Sequence, residues 1–195
     1  MMSLERVRRI LRDRQSIEEH APEARPAAVS LILHETVAGH RTGLEALFIK
    51  RAVMQGDPWS GQIALPGGRR EPQDADLFAT ALRETKEETG IDLTRAERLG
   101  VLDDLYPRTP TLPPVVVRPF VFAVPSRPPT VASVEVDHSF WVPLERLLAP
   151  GVRHEITLTI RGERRVFPAY DLGVGGEVIW GMTERILTPL LEQLG

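Results

Sequence analysis

Apolar residues recur along the chain with rhythms that change from segment to segment. Leu4, Val7, Ile10, Leu11 and Ile17 are spaced as on one face of a helix, so the pattern predicts an amphipathic helix over residues 4–17. The two prolines of "APEARP" at 21–26 break it. "AAVSLILHE" at 27–35 and "LEALFIKRA" at 44–52 then read as strands joined by a Gly-containing turn around 39–43. "SGQIALPGGRREPQD" is loop-rich, with a short strand at 62–65. In residues 75–89, Phe78, Ala81, Leu82 and the methyl of Thr85 return to helical spacing, with Asp74 as the expected N-cap and Gly90 as the stop. Further strands are expected at 97–105, 115–124, 153–160 and 164–170. "SFWVPLERLLA" predicts a short strand or turn leading into a short helix. "VIWGMTERILTPLLEQLG" predicts a strand, a Thr183 N-cap and a helix with Ile186, Leu187, Leu190, Leu191 and Leu194 buried. Trp141 and Trp180 are expected in the core, and the Pro-rich "YPRTPTLPPVV" at 106–116 as an ordered surface loop. The expected fold class is α+β: a mixed β-sheet sandwiched between α-helices. Residues 1–26 form an N-terminal helical segment and linker, and residues 27–195 a single domain.

Composition narrows this only a little. The 195 residues are 42% hydrophobic and 26% charged, ordinary for a soluble domain able to bury a core. There is no Cys, so disulfides, thiolate metal sites and a cysteine nucleophile are excluded. No apolar run approaches the roughly 20 residues that span a bilayer. The first residues carry no uninterrupted apolar stretch of signal-peptide type, so a cytoplasmic location without membrane association is expected. A net charge of −3 argues against broad capture of nucleic acid. Arg6, Arg8, Arg9, Arg12 and Arg14 read as a solvated basic face, with phosphate contact as the alternative.

The stretch "RETKEETG" at 83–90 does change the picture. Glu84, Glu87 and Glu88 crowd the last turns of a predicted helix, where the dipole disfavours carboxylates. Glu84 and Glu88 stand at i,i+4, a like-charge pairing that costs roughly 0.2–0.5 kcal/mol. One reading is a solvated acidic face. The other is a site for a hard divalent cation, Mg²⁺ or Mn²⁺, bound through carboxylate oxygens without sulfur. Mg²⁺ takes one or two protein carboxylates and completes its shell with water and substrate phosphate. The preceding "PGG" permits close backbone approach to a metal or phosphate, which favours the second reading.

Residues 68–91, "GRREPQDADLFATALRETKEETGI", resemble the signature of the Nudix hydrolases: Gly, five residues, Glu, seven residues, then Arg-Glu-aliphatic-x-Glu-Glu-x-Gly-aliphatic. Gly68, Arg83, Glu84, Glu87, Glu88, Gly90 and Ile91 match. Asp74 stands for the first Glu, eight residues separate it from Arg83, and Thr85 replaces an aliphatic residue. Asp74 and the extra residue alter the loop that leads into the helix, and the Arg-Glu…Glu-Glu core stays intact. The resemblance implies Glu84 and Glu88 as the main metal ligands. Glu87 is implied as a further ligand or the holder of a metal-bound water, and the carbonyl of Gly67 or Gly68 as completing the shell. Arg83 is implied as a brace on a carboxylate, Glu87, Glu71 or Asp74. The general base is left open, with Glu135, Asp137 and Glu155 as candidates beyond the helix.

Upstream, "LFIKRAVMQGDPWSGQIALPGG" is similar to the segment preceding that box in coenzyme A pyrophosphatases of the family. Lys50, Arg51, Gly61, Gln62, Ile63, Leu65, Pro66, Gly67 and Gly68 fit, whereas "DPWS" stands where a histidine is expected. The tail "IWGMTERIL" is also similar. The resemblance implies hydrolysis of coenzyme A or an acyl derivative to 3′,5′-ADP and 4′-phosphopantetheine. Alternatives are another nucleoside diphosphate derivative, a nucleoside triphosphate, or a domain that senses nucleotides without cleaving them. Arg51 is read as a phosphate clamp or a solvated strand-end arginine. Trp59 stacks on adenine, covers the pantetheine arm or anchors its loop. Gln62, Gly67 and Gly68 complete the expected substrate contacts, in a monomer or homodimer.

Overall fold

A computed structural model describes residues 2–56, 59–108, 113–131, 133–160, 162–173 and 177–195. Strands β1 (Arg25–Ala38) and β2 (Arg41–Arg51) form the expected antiparallel hairpin, pairing from Ala38↔Arg41 to Leu33↔Ala46. β6 (Val115–Val124) lies parallel to β1, and β5 (Glu97–Val101) antiparallel to β6, so the sheet is mixed. β7 (Val136–Pro143) runs antiparallel along the far edge of β2 and begins earlier than the pattern indicated.

Beyond Leu33 the first two strands part, and a short hairpin fills the split. β3 (Ile63–Ala64) pairs with β2, and β4 (Gly67–Arg69) with β1. The "PGG" segment is thus strand as well as loop. Gly67 has φ 153°, and a Cβ there would lie 2.3 Å from the carbonyl oxygen of Ala28 and 2.5 Å from Cα of Val29. Only glycine permits the two backbones to approach this closely.

Alternation along β1 divides the core. Leu31 and Leu33 face one cluster, completed by helices α1 (Leu4–Arg12) and α4 (Met182–Leu194). Ala28 and Ile32 face the other, covered by α2 (Leu77–Thr89). A sheet buried on both faces explains the near-continuous apolar runs of β1, β2 and β6. The expected sandwich is therefore present. Helix α3 (Leu144–Leu147) follows β7, and a second sheet carries β8 (Arg153–Ile160), β9 (Glu163–Asp171) and β10 (Val178–Trp180) in the order β10-β9-β8.

The structure corrects several boundaries. α1 ends at Arg12, because Ile17 is 64% exposed and its N–H is held by the Asp103 carboxylate. Much of the basic face is tied down internally: Arg6 donates to the Gln193 carbonyl, Arg8 forks onto Glu97, and Arg14 pairs with Asp103. β5 stops at Val101, and Leu105 rejoins the sheet only as a bridge to Val117. Thr183 does not cap α4, whose N-cap is Gly181; its hydroxyl donates to the Ile63 carbonyl. Trp141 and Trp180 are half-buried, Trp141 edge-on to His34 and Trp180 tilted against Phe167. Of the loop at 106–116, residues 109–112 lie outside the described residues.

The N-cap of α2 is Asp76, whose carboxylate accepts from the amide of Ala79 at 2.8 Å. Asp74 serves elsewhere. Its carboxylate, buried, accepts both arms of the Arg83 fork at 2.9 Å, the Thr80 hydroxyl at 2.9 Å and the Glu71 amide at 2.9 Å. These bonds, led by Arg83, hold the Asp74 carboxyl well below its usual range. Beneath the helix the Thr85 hydroxyl donates to Ser30 Oγ at 2.8 Å, which gives a buried polar residue at an aliphatic position its partner. Gly90 ends the helix at φ 76°.

Gly67→Ala is expected to cost at least about 2 kcal/mol, since both dihedral strain and a backbone clash are imposed. Gly39→Ala, with φ 60° and open space around its Cβ, costs less. Urea unfolding of the two variants checks the order. Asp74→Asn is expected to destabilise by roughly 3 kcal/mol at neutral pH by leaving the Arg83 fork short of its partner. Because the folded carboxyl titrates below 3.8, its contribution is complete above that value and is lost as pH falls through the folded pKa. The gap between wild type and variant therefore narrows on acidification below pH ~4, which denaturant titrations at several pH values measure.

Candidate active site

The split between β1 and β2 opens into a cleft of about 400 Å³, within the usual range for small-molecule sites. α2 presents Glu84 and Glu88 to it one turn apart, as their spacing requires. Glu88 is 3% exposed. Its carboxylate accepts the Gly67 amide at 2.8 Å and faces the Arg51 guanidinium at 3.5 Å. Burial outweighs both contacts and, with Glu84 and Glu135 adding repulsion, pushes the Glu88 carboxyl up to about 8. Burial likewise raises the Glu84 carboxyl against the opposing pull of Arg83.

Gly68 is pressed onto Glu84. A Cβ at Gly68 would lie 2.4 Å from that carboxyl group, so a side chain here would push the Glu84 carboxylate aside, whereas at Gly67 it would meet backbone. Arg83 braces the acids as well as the loop: Nη1 donates to Glu84 at 3.0 Å and to Glu87 at 2.9 Å, and Nη2 to the Arg69 carbonyl at 3.1 Å. Of its three expected partners, Arg83 bonds to Glu87 and Asp74; Glu71 lines the cleft and gives its amide to Asp74.

The carboxylates thus divide. Glu84, half-buried, and Glu88, buried, stand in the cleft with raised proton affinity, the condition that a bound cation relieves. Their hard oxygens, beside the main chain of Gly67 and Gly68, fit a divalent ion of the Mg²⁺ type. The Glu87 side chain is 59% exposed and engaged by Arg83. Among the described residues no three His, Asp or Glu side chains already converge as a ready-made ligand cage. Glu84 and Glu88 face the cleft together, and Glu87, which also lines it, is held at its edge by Arg83.

Arg51, Trp59 and Gln62 line the same cleft as these acids, as does Glu135. Of the three distant acids named as candidate bases, only Glu135 is brought in: the amide of Ala52 donates to its carbonyl at 2.9 Å, fixing this loop beside the end of β2. Asp137 is exposed and paired with His138, and Glu155 is exposed on β8. Lys50 pairs with Glu177 at 3.7 Å and does not line the cleft. Sequence reasoning missed Arg69, whose guanidinium lies 5.9 Å from the centroid of the Trp59 ring. Strand alternation after Gly67 would have placed Arg69 on that side. It also missed Met182 and Ile186, which enter from α4.

The NUDIX domain family matches residues 24–161. An uncharacterized Nudix hydrolase of Salmonella paratyphi B, NudL, is 36% identical over 138 residues, covering 70% of this chain and 68% of NudL. An uncharacterized protein of Schizosaccharomyces pombe is 35% identical over 130 residues, 64% of this chain but only 40% of that relative's own length. Among solved structures, a MutT/Nudix family protein of Enterococcus faecalis superposes with a TM-score of 0.57 at 21% identity, covering 95% of this chain and 67% of that one. A Caenorhabditis elegans Ap4A hydrolase in a binary complex reaches 0.50 at 21% identity, covering 63% and 82%. At these identities the two structures establish the fold alone. The family match spans the large sheet and the acidic helix, and the chain belongs to the Nudix hydrolases.

Proposed function

We propose that the protein is a divalent-metal-dependent pyrophosphohydrolase that uses Mg²⁺ or Mn²⁺ to cleave the diphosphate linkage of a nucleotide derivative, with coenzyme A or an acyl-coenzyme A as the substrate. The observation that carries the reading is the pair of acids one helical turn apart, half-buried Glu84 and buried Glu88, the latter facing Arg51, in a cleft of ligand size. When bound by Glu84 and Glu88, the ion supplies charge neutralisation and a lowered pKa for its water. Arg51 offers a planar fork to the phosphate oxygens. Arg83, saturated by Asp74, Glu84 and Glu87, holds the acids in place and does not reach for substrate. Gln62, Gly67 and Gly68 line the path of the diphosphate, and Trp59, with Arg69 over its ring, offers a flat face on which a base or a pantetheine arm packs. Glu135, beside Glu84 and Glu88, is the candidate acceptor for a proton from the attacking water.

Of the residues that fit the coenzyme A pyrophosphatase segment, Arg51, Gln62, Leu65, Gly67 and Gly68 line this cleft, which supports coenzyme A among nucleotide diphosphates. Another nucleoside diphosphate derivative, or a nucleoside triphosphate, is the alternative on the same machinery. Retention of Glu84, Glu87 and Glu88 together favours an enzyme over a nucleotide sensor. Among the described residues no helix is long and apolar enough to cross a membrane.

Glu88→Gln keeps the shape and an acceptor for Gly67 but removes the charge, and is expected to lower kcat by roughly 10²-fold or more. Turnover assays with the fold checked by circular dichroism test this, and unchanged turnover sinks the assignment. In a comparison of kcat/KM for coenzyme A, ADP-ribose, NADH and nucleoside triphosphates, coenzyme A is expected to rank first. A tenfold disadvantage against any of the others overturns the substrate assignment.

A further inference from the structure

The cleft is not charged throughout. A separate part of its wall is apolar, made by Val29 of β1, Val115 and Val117 of β6, and Met182 and Ile186 of α4. Strand alternation explains the division. Val117 pairs with Ala27 and Val115 with Arg25, so these residues share a sheet face with Val29, the face that α4 covers. The acids stand on α2, which covers the opposite face. The cleft at the edge of β4 therefore receives charge from one side of the sheet and apolar surface from the other. Val29 and Met182 are half-buried, so part of this surface is open to the cleft.

Ile186 also lines a second cavity of about 530 Å³, whose other lining includes Arg14, Asp103, Asp104 and Arg153. The apolar strip is thus bounded by charged groups both at the acids and at this second cavity. Val115, Val117 and Ile186 are buried behind Val29 and Met182, so the open part of the strip is short, and it has no means of satisfying charge.

We propose that this strip is a subsite for an uncharged, apolar arm attached to the distal phosphate of the substrate. A ligand anchored by its diphosphate at Arg51 and the acids lays that arm along Met182 and Ile186. The enzyme then discriminates among diphosphates by what they carry beyond the second phosphate, gaining affinity from each methylene laid on the strip. The inference rests on the diphosphatase reading for the charged end of the ligand. It does not depend on coenzyme A being that ligand.

The test uses α,β-methylene-ADP, which resists hydrolysis, carrying an ethyl or a hexyl ester on its β-phosphate. Each is titrated calorimetrically into the full chain with Mg²⁺. A fully buried methylene is worth about fourfold, so across a half-open strip the hexyl ester is expected to bind at least roughly tenfold tighter than the ethyl ester. In Met182→Gln that gain is expected to fall below about threefold while the ethyl ester keeps its affinity, and Met182→Leu, which stays apolar, retains the gain. Thermal melting confirms that both variants fold. Equal binding of the two esters by the wild type overturns the subsite alone. So does a Met182→Gln effect equal for both esters, which would set the strip against the nucleoside, or a Met182→Leu loss matching that of Met182→Gln. Failure of both esters to bind overturns the diphosphatase reading and the subsite with it.

Discussion

The amide of Gly67 reaches the Glu88 carboxylate across 2.8 Å, and the position of everything in the cleft depends on that contact. It requires the β3–β4 hairpin to be wedged between two strands that begin as neighbours and then part. The wedge in turn requires a residue without a side chain at Gly67, against β1, and another at Gly68, against Glu84. On the helix side the same contact requires α2 to be fixed in rotation and height. Asp76 sets where the helix begins, Thr85 pins it to Ser30 under its centre, and the Asp74–Arg83 fork ties its outer face to the incoming loop. A carboxylate buried this deeply is expensive to ionise, and one amide with one guanidinium offsets only part of that cost. The fold supplies the rigidity with which the unfavourable arrangement is kept.

Much of this was legible because it depends on periodicity or on a single spacing. The two faces of β1, the apolar stripe of α2, and the one-turn separation of Glu84 and Glu88 are all local properties of the chain. The misreadings arose where two residues offered the same chemistry or where a partner came from afar. Asp74 and Asp76 both make good caps by type; which one caps is decided by Arg83, whose fork claims Asp74. Ile17 falls in helical register, yet the backbone there is drawn off by Asp103 and Asp104 before a further turn forms. Thr85 stands where an aliphatic residue is expected, and its partner, Ser30, comes from 55 residues away.

Other parts of the site were not legible in the chain at all. Glu135, Asp137 and Glu155 are indistinguishable as isolated acids. What selects Glu135 is the end of β2, where Ala52 fixes the approach of the loop leading into β7. Met182 and Ile186 look like ordinary core positions of a terminal helix. Their role in the cleft wall follows from the parallel pairing of β1 with β6, which sets Val29, Val115 and Val117 on the face that α4 covers. A long-range parallel pairing leaves no signature within either strand.

The charge balance of the cleft limits how a diphosphate can be held there. Arg83 is the best-placed guanidinium near the acids, but its donors are committed to Asp74, Glu84, Glu87 and a carbonyl. That leaves Arg51 facing Glu88 while Glu84, Glu88 and Glu135 repel one another. Without a bound cation, a polyanion entering this region meets the repulsion of these acids, with Arg51 and Arg69 as the remaining guanidinium groups of the lining. Affinity that does not depend on charge must then come from another part of the wall, and the strip formed by Val29, Val115, Val117, Met182 and Ile186 can supply it without touching the reacting atoms. Binding energy taken from a remote, uncharged part of a substrate can be used to bring its diphosphate into a position that is electrostatically uncomfortable. The separation of apolar and acidic surfaces onto opposite faces of one sheet lets the two demands be met independently.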